Sequence, residues 1–391
     1  MAQQNFSALD PTIPVNGLDL QALRQMFEVC FDTSEPAPPP RFFFAPGWLD
    51  LMGCPGLELG GWTLSLPVDR GVVIAAAPRQ DRKIRARVLT EGEVETLDLN
   101  QPFSGLPTSH WLNAVNRVVH NLRARNVELS GADLLISSNL PPGLALKNLT
   151  ALEEALMLAL YCISGAEVYS APSLSMTGQA WLKNQDSREI SPVPLGLQGV
   201  SLVLSDSRVQ PGVMDALISQ RNRECKYGLD MLRLVQPALH TLDALTEEML
   251  QAGRCCIEDE IIRKRLRHCV TENQRVLPAA EAIKTGDILA LGLLLGESMR
   301  SWRANFELSC PEWDTLAILP KNMAGVMGAR VLSGGDFEGC TLHWVDSAEA
   351  AAFETAVSEA YEAAFDCTPY ISIVQPGAVA QELLVPAPAS V

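Results

Sequence analysis

Three short segments carry residue types that could handle an anionic or polyhydroxylated ligand. The most suggestive is Pro141-Pro142-Gly143-Leu144-Ala145-Leu146-Lys147-Asn148-Leu149, which runs into Thr150-Ala151-Leu152-Glu153. A glycine-containing loop at a helix start turns backbone N–H groups, and the positive end of the helix dipole, toward a phosphate. Thr150 followed by Glu153 fits a capping box. The candidate anion-binding residues are therefore Gly143, Leu144, Ala145, Lys147 and Asn148. The same residues also fit an ordinary turn before a capped, buried helix. The second segment is Ala45-Pro46-Gly47-Trp48-Leu49-Asp50-Leu51-Met52-Gly53, followed by Cys54, Leu57 and Gly60-Gly61. The third is the loop around Ser333, Gly334 and Gly335, with Asp336 and Glu338 behind it. Two acids there disfavour an anion unless they hold its metal.

Other chemistries have little to build on. The ten cysteines (30, 54, 162, 225, 255, 256, 269, 310, 340 and 367) form no C-x-x-C pair. No cysteine–histidine cluster has zinc spacing, so no metal site is expected. Free thiols in apolar surroundings behave as small hydrophobes, which suits a reducing cytoplasm. The five histidines are dispersed. A net charge of −16 repels a long polyanion, so a nucleic-acid role is not expected. No apolar run approaches eighteen residues, so no membrane span is expected. Met1–Pro14 lacks the basic start and apolar run of a secretory signal and reads as a polar lead-in.

The elements that must position these segments follow from periodicity. The chain has 391 residues, 47% apolar and 19% charged, enough for two domains. Leu18–Phe31 reads as an amphipathic helix and Phe42–Phe44 as a buried strand. Thr63–Val68 and Val72–Ala77 read as strands on either side of a turn at Asp69-Arg70-Gly71. Ile84, Ala86 and Val88 alternate with basic residues as in a half-exposed strand. Trp111–Ala124 and Thr150–Ile163 are helical, with a short strand at Leu134–Ser138. Ser175–Gln185 reads as a helical piece. After a strand at Val200–Leu204, helical spacing dominates: Met214–Leu232, then Ile262–Ala280 interrupted by Pro278, then Ile288 to Asn305 after a C-cap at Gly286. A Gly-rich turn between two strands spans Arg330–Val345, and the tail from Ala378 reads as frayed. Strands early, helices late and a final strand pair indicate an α+β protein of two domains.

The sequence resembles the galactokinases of the GHMP kinase superfamily from about Leu18 to Pro376. The likeness is carried by the three segments above and by Leu66-Pro67-Val68-Asp69-Arg70-Gly71, Thr271-Glu272-Asn273, Glu297-Ser298-Met299-Arg300 and Gly328-Ala329-Arg330. It implies a GHMP kinase-like α+β fold of two domains. Residues 17–195 would form a part like domain 2 of ribosomal protein S5, and 196–380 a ferredoxin-like part. ATP and Mg²⁺ are then the candidate cofactors, and a small molecule in the interdomain cleft the candidate ligand.

The same resemblance shows what this chain lacks. Family galactokinases place an arginine where Trp48 stands, an asparagine at Asp50, and sugar-binding glutamate, histidine and aspartate at Cys54, Pro55 and Leu57. A sugar-contacting tyrosine aligns with Ile218. Neutral and charged hydrogen bonds to a sugar are each worth about 0.5–3 kcal/mol, so their joint loss should abolish galactose affinity. Ala145 replaces a loop glycine, and Lys147, Asn148 and Leu149 replace serines, including one that helps hold Mg²⁺. Gly178–Gln185 resembles a family helix that is fused directly to Asp186-Ser187-Arg188, so the stretch bearing the catalytic aspartate is missing. Asp186, Asp50 and Asp336 are the remaining acids that could be proposed as substitutes. The implied function is a catalytically inactive pseudokinase for metabolite sensing or partner binding. Two alternatives stay open: an ATP-dependent kinase for a less polar substrate, and a purely structural subunit.

Overall fold

The computed structural model describes residues 19–31, 38–54, 59–101, 110–140, 150–165, 179–209, 212–237, 239–332, 339–376 and 379–384. In chain order the first part contributes α1 (Leu20–Cys30), β1 (Arg41–Gly53), β2 (Trp62–Arg79), β3 (Lys83–Val88), β4 (Glu91–Asp98), α2 (His110–Ala124), β5 (Gly131–Ser138), α3 (Thr150–Ile163), β6 (Gln179–Asn184) and β7 (Ile190–Pro194). The second contributes β8 (Val200–Asp206), α4 (Gly212–Val235), α5 (Glu247–Ala252), α6 (Glu260–Thr285), α7 (Ile288–Ser301), α8 (Pro311–Ile318), β9 (Val326–Val331), β10 (Thr341–Asp346), α9 (Ala350–Phe365), β11 (Tyr370–Val374) and β12 (Gln381–Leu383).

These strands form two sheets. The larger runs β12-β1-β2-β5-β3-β4, with β6 paired to the start of β2 and β7 paired to β6; the smaller runs β11-β8-β10-β9. The run Phe42-Phe43-Phe44-Ala45 is apolar without alternation because both faces of β1 are covered. Phe42 and Phe44 pack with Leu23 and Phe27 of α1, while Phe43 and Ala45 join the main core with α2 and α3. The smaller sheet sends Leu202, Leu204 and Trp344 to the main core, and Val203 and Val345 under α9. A separate cluster fills the helical layer: Cys225, Leu229, Leu266, Trp302 and Phe306, joined by Cys54 and Leu59. No helix of the described residues is long and apolar enough to cross a membrane.

Four local expectations are corrected. No turn breaks β2 at Asp69-Arg70-Gly71; the pairing partner shifts from Gly71 opposite Pro46 to Val68 opposite Gly47. Asp69 and Arg70 are thus bulged out of one continuous strand. The Asp69 carboxylate accepts from the Gln375 N–H at 3.0 Å, and the Asp69 N–H donates to the Gln375 carbonyl at 3.0 Å. Pro278 does not interrupt α6; it lies on the exposed side of the helix together with Gln274, whose carbonyl loses its donor. Gln179–Asn184 is a strand rather than a helix, paired with β2 and β7 around Trp181. The tail is not frayed throughout: Gln381–Leu383 pairs with Phe42–Phe44, fastened by an Arg41–Glu382 ion pair at 2.6 Å.

The second-half motifs prove to be structural ties. Glu272 of α6 is buried and accepts from Arg330 of β9 at 2.9 Å, from Ser298 of α7 at 2.9 Å and from Arg275 at 2.7 Å. Arg330 continues to the Leu51 carbonyl of β1 at 2.8 Å. Burial pushes the Glu272 carboxyl up, but the charges of Arg330, His268 and Arg275 outweigh it and hold the group below its ordinary range. Asn273 accepts from the Trp62 N–H at 2.7 Å, and a Cβ on Gly61 would approach this Asn273 oxygen at 2.6 Å. The motifs Thr271-Glu272-Asn273, Glu297-Ser298-Met299-Arg300 and Gly328-Ala329-Arg330 therefore join helices α6 and α7 to both sheets.

Candidate functional site

The antiparallel pair β1–β2 sets the floor of the site by placing Trp48 opposite Pro67 and Asp50 opposite Ser65. Asp50 is 8% exposed and accepts a hydrogen bond from Ser65 Oγ at 2.6 Å. Burial raises its carboxyl above the ordinary range, against the Ser65 bond and the charges of Lys183 and Arg330. Strand β6 sets Lys183 opposite Thr63 of β2. From there Lys183 Nζ lies 4.5 Å from the centre of the Trp48 ring, a cation–π contact. Helix α3 supplies Glu154, whose Oε2 accepts from Trp48 Nε1 at 3.5 Å. Burial raises Glu154 also, opposed by the Trp48 bond and by Lys183. Two acids held toward neutrality, one ammonium and one indole thus meet at the mouth of β1.

Sequence reasoning identified Trp48 and Asp50 but missed Glu154 and Lys183. Glu154 sat behind the capping-box residue Glu153, which instead reaches across to Arg117 of α2 at 2.6 Å. Lys183 was hidden by the helical reading of its segment; the aromatic Trp181 and the turn residues Asn184–Ser187 were the available signals of a hairpin.

The remaining candidates are dispersed. Cys54 and Ile218 both belong to the helical-layer cluster, with Cys54 buried and Ile218 half-buried against it. Asp186, one possible substitute base, accepts from the Gly61 N–H at 2.8 Å and holds the Gly60-Gly61 turn, both glycines having positive φ. Leu57, Gly143, Leu144, Ala145, Lys147, Asn148, Ser333, Gly334, Gly335 and Asp336 lie outside the described residues. The edges of both loops are described. Asn139 accepts from the Gly71 N–H at 2.6 Å and so fixes the exit of β5 to the bulge in β2. Leu332 and Cys340 close the neck of the third loop, the Leu332 N–H donating to the Cys340 carbonyl at 2.8 Å.

Trp48 of β1, Glu154 of α3 and Lys183 of β6 meet on a known scaffold. The chain is 30% identical over 362 residues to a galactokinase of Halalkalibacterium halodurans, covering 86% of this chain and 91% of that protein. It belongs to the galactokinase family. A galactokinase of Lactococcus lactis solved with galactose superposes with a TM-score of 0.81 at 24% identity, over 93% of this chain and 100% of that one. A mevalonate kinase of Methanococcus jannaschii superposes with a TM-score of 0.58 at 13% identity, over 88% and 99%. These confirm the mixed α+β GHMP kinase fold. No family model matches the sequence. Among the described residues of this galactokinase-family chain, no three His, Cys, Asp or Glu side chains converge as a metal site.

Proposed function

We propose that this galactokinase-family protein has lost phosphoryl transfer and serves as a small-molecule sensor or partner-binding protein. In this reading it divides near residue 195 into a part spanning 17–195 and a part spanning 196–380, with the ligand between them. Its free thiols fit a reducing cytoplasm. The observation that carries the reading is the Trp48 contact. In this reading the Trp48 indole stands in for the family's cationic helper, and Glu154 and Lys183 contact it. On the same reading the stretch that bears the family's catalytic aspartate is missing ahead of Asp186-Ser187-Arg188. A general base is worth about 10²–10⁴-fold, and charge stabilisation of the transferred group adds more. Losing the family's base and its arginine together leaves too little for useful turnover, since the Lys183 ammonium is turned onto the Trp48 ring. The test is a coupled ATP assay over a panel of hexoses and polyols on the full chain, paired with calorimetric binding of the same panel. Binding without turnover is expected; steady ATP-dependent product formation on any member sinks the reading.

One observation favours a second reading. Glu154 is a carboxylate with a raised pKa beside an ammonium, the kind of group an alcohol's proton could reach. An active kinase for a less polar substrate, its old sugar pocket made more apolar by Trp48, Leu57 and Ile218, would then show magnesium-dependent ATP binding as a thermal shift, and Glu154→Gln would stop it turning over.

A further inference from the structure

Two neighbouring thiols stand at the surface of the helical layer. Cys255 and Cys256 close the short turn Gly253–Cys256 that follows α5, and their Sγ atoms lie 3.7 Å apart. Cys255 is exposed and Cys256 half-buried. The turn is pinned from both sides, because Leu250 before it and Ile257 after it belong to the helical-layer cluster. Gly253 approaches α4 so closely that a Cβ on it would come within 2.2 Å of Leu232 Cδ2. A thiol inside a core fills space like a small apolar side chain, as Cys225 and Cys269 do, fully buried with their Sγ atoms 3.5 Å apart. An exposed cysteine has no such role, and a pair held on a fixed turn offers two sulfurs to one atom.

The geometry favours bridging by a third atom over a direct bond. The peptide bond between the two residues is trans, which sets their Cα atoms about 3.8 Å apart. A disulfide usually spans about 4.4–6.8 Å between Cα atoms, so closing one here would distort the turn. An atom bonded to both sulfurs at about 2.3 Å, the length of a metal–thiolate bond, leaves them roughly 3.7 Å apart at a near-tetrahedral angle. Zinc in a structural site takes four ligands, and among the described residues no group of three His, Cys, Asp or Glu converges. A trivalent arsenical with one carbon substituent needs two thiols and no more, because its third bond is already taken.

We propose that Cys255 and Cys256 form a dithiol site for monosubstituted trivalent arsenicals. In water such a compound carries two hydroxyls on arsenic. Each sulfur forms an As–S bond, one As–O bond breaks in exchange, and the thiol proton leaves with that hydroxyl as water. Two waters are released for each ring closed. Arsenic stays trivalent and no electrons are transferred. The Cys256 thiol is raised above its ordinary range by its bond to Cys255, by burial and by that neighbour's charge. This does not oppose binding, since the exchange starts from protonated thiols and carries both protons away as water. The pair shares no residue with the Trp48 cluster, so the site stands whether or not the protein turns over a substrate.

The test treats the reduced full-length chain with one equivalent of phenylarsine oxide, followed by intact mass and tryptic mapping. One phenylarsenic group is expected, on the peptide 255–263, which follows Arg254 and ends at Arg263. Excess 2-mercaptoethanol should leave it in place, and 2,3-dimercaptopropanol should remove it. Cys255→Ser and Cys256→Ser should each bind at least about 100-fold more weakly, because the second attachment is then no longer intramolecular. Cys367→Ser, at a half-buried cysteine in another part of the chain, should bind as the wild type does. An iodoacetamide footprint repeats the test without any substitution: the bound arsenical should block alkylation of Cys255 and Cys256 alone. An adduct on another cysteine at one equivalent, release by the monothiol, undiminished affinity in either serine variant at the pair, or no adduct at all would each overturn the proposal.

Discussion

Replacing Glu272 by glutamine removes one negative charge from a group that is 1% exposed and leaves the shape almost unchanged. Arg330, itself 2% exposed, then keeps the carbonyls of Leu51 and Val331 but loses its carboxylate. Arg275 is better placed to adapt, since Glu297 lies 3.8 Å away near the surface. The cost is therefore set by Arg330, and breaking a buried pair from one side costs about 3–5 kcal/mol. Arg330→Met should cost a similar amount, because it strands Glu272 and leaves the Leu51 carbonyl without this donor. The double variant should lose about 3–5 kcal/mol rather than the 6–10 kcal/mol of simple addition, since it removes both charges together. Urea titration followed by tryptophan fluorescence reads all four corners of the cycle, provided the slope with denaturant stays constant. A loss below about 1 kcal/mol for Glu272→Gln, or additive losses, would refute the view that this network is the joint between the helices and the two sheets.

Other expectations are independent of that joint. His343 is fully buried, neither ring nitrogen has a hydrogen-bond partner, and burial lowers its pKa from 6.5 to about 3. The unfolded chain takes up a proton there below pH 6.5 and the folded chain does not, so stability is complete above 6.5. It falls by about 1.4 kcal/mol per unit toward pH 3, on the order of 5 kcal/mol in all; His343→Leu should flatten that part of the acid-denaturation curve. Gly71→Ala should cost several kcal/mol, measured by thermal melting, because a Cβ there runs into the Ala45 carbonyl oxygen across the β1–β2 ladder. Pro278→Ala should stabilise by about 1–3 kcal/mol in urea, by restoring a donor to the Gln274 carbonyl.

Periodicity located long elements well because their apolar spacing is set by the helix or strand that buries it. The helices at Leu20–Cys30, His110–Ala124 and Thr150–Ile163 follow that rule. It failed where tertiary contacts overrule local chemistry. Asp69-Arg70-Gly71 has the composition of a turn, yet Gln375, three hundred residues away, holds it in a strand. Trp48 and Asp50 were legible as site residues because they share a short segment with altered chemistry. Glu154 and Lys183 were not, since their relevance depends on α3 and β6 meeting above β1, which no local pattern encodes.

The pairing of Gln381–Leu383 with Phe42–Phe44 has a consequence for synthesis. Strand β1 precedes the segment that covers its outer edge by more than three hundred residues. Until that segment has been made, the Phe-rich border of the larger sheet has open N–H and C=O groups that another chain could zip onto. Deleting residues 379–384 should therefore show first as aggregation during expression, ahead of any loss in the equilibrium stability of the finished molecule.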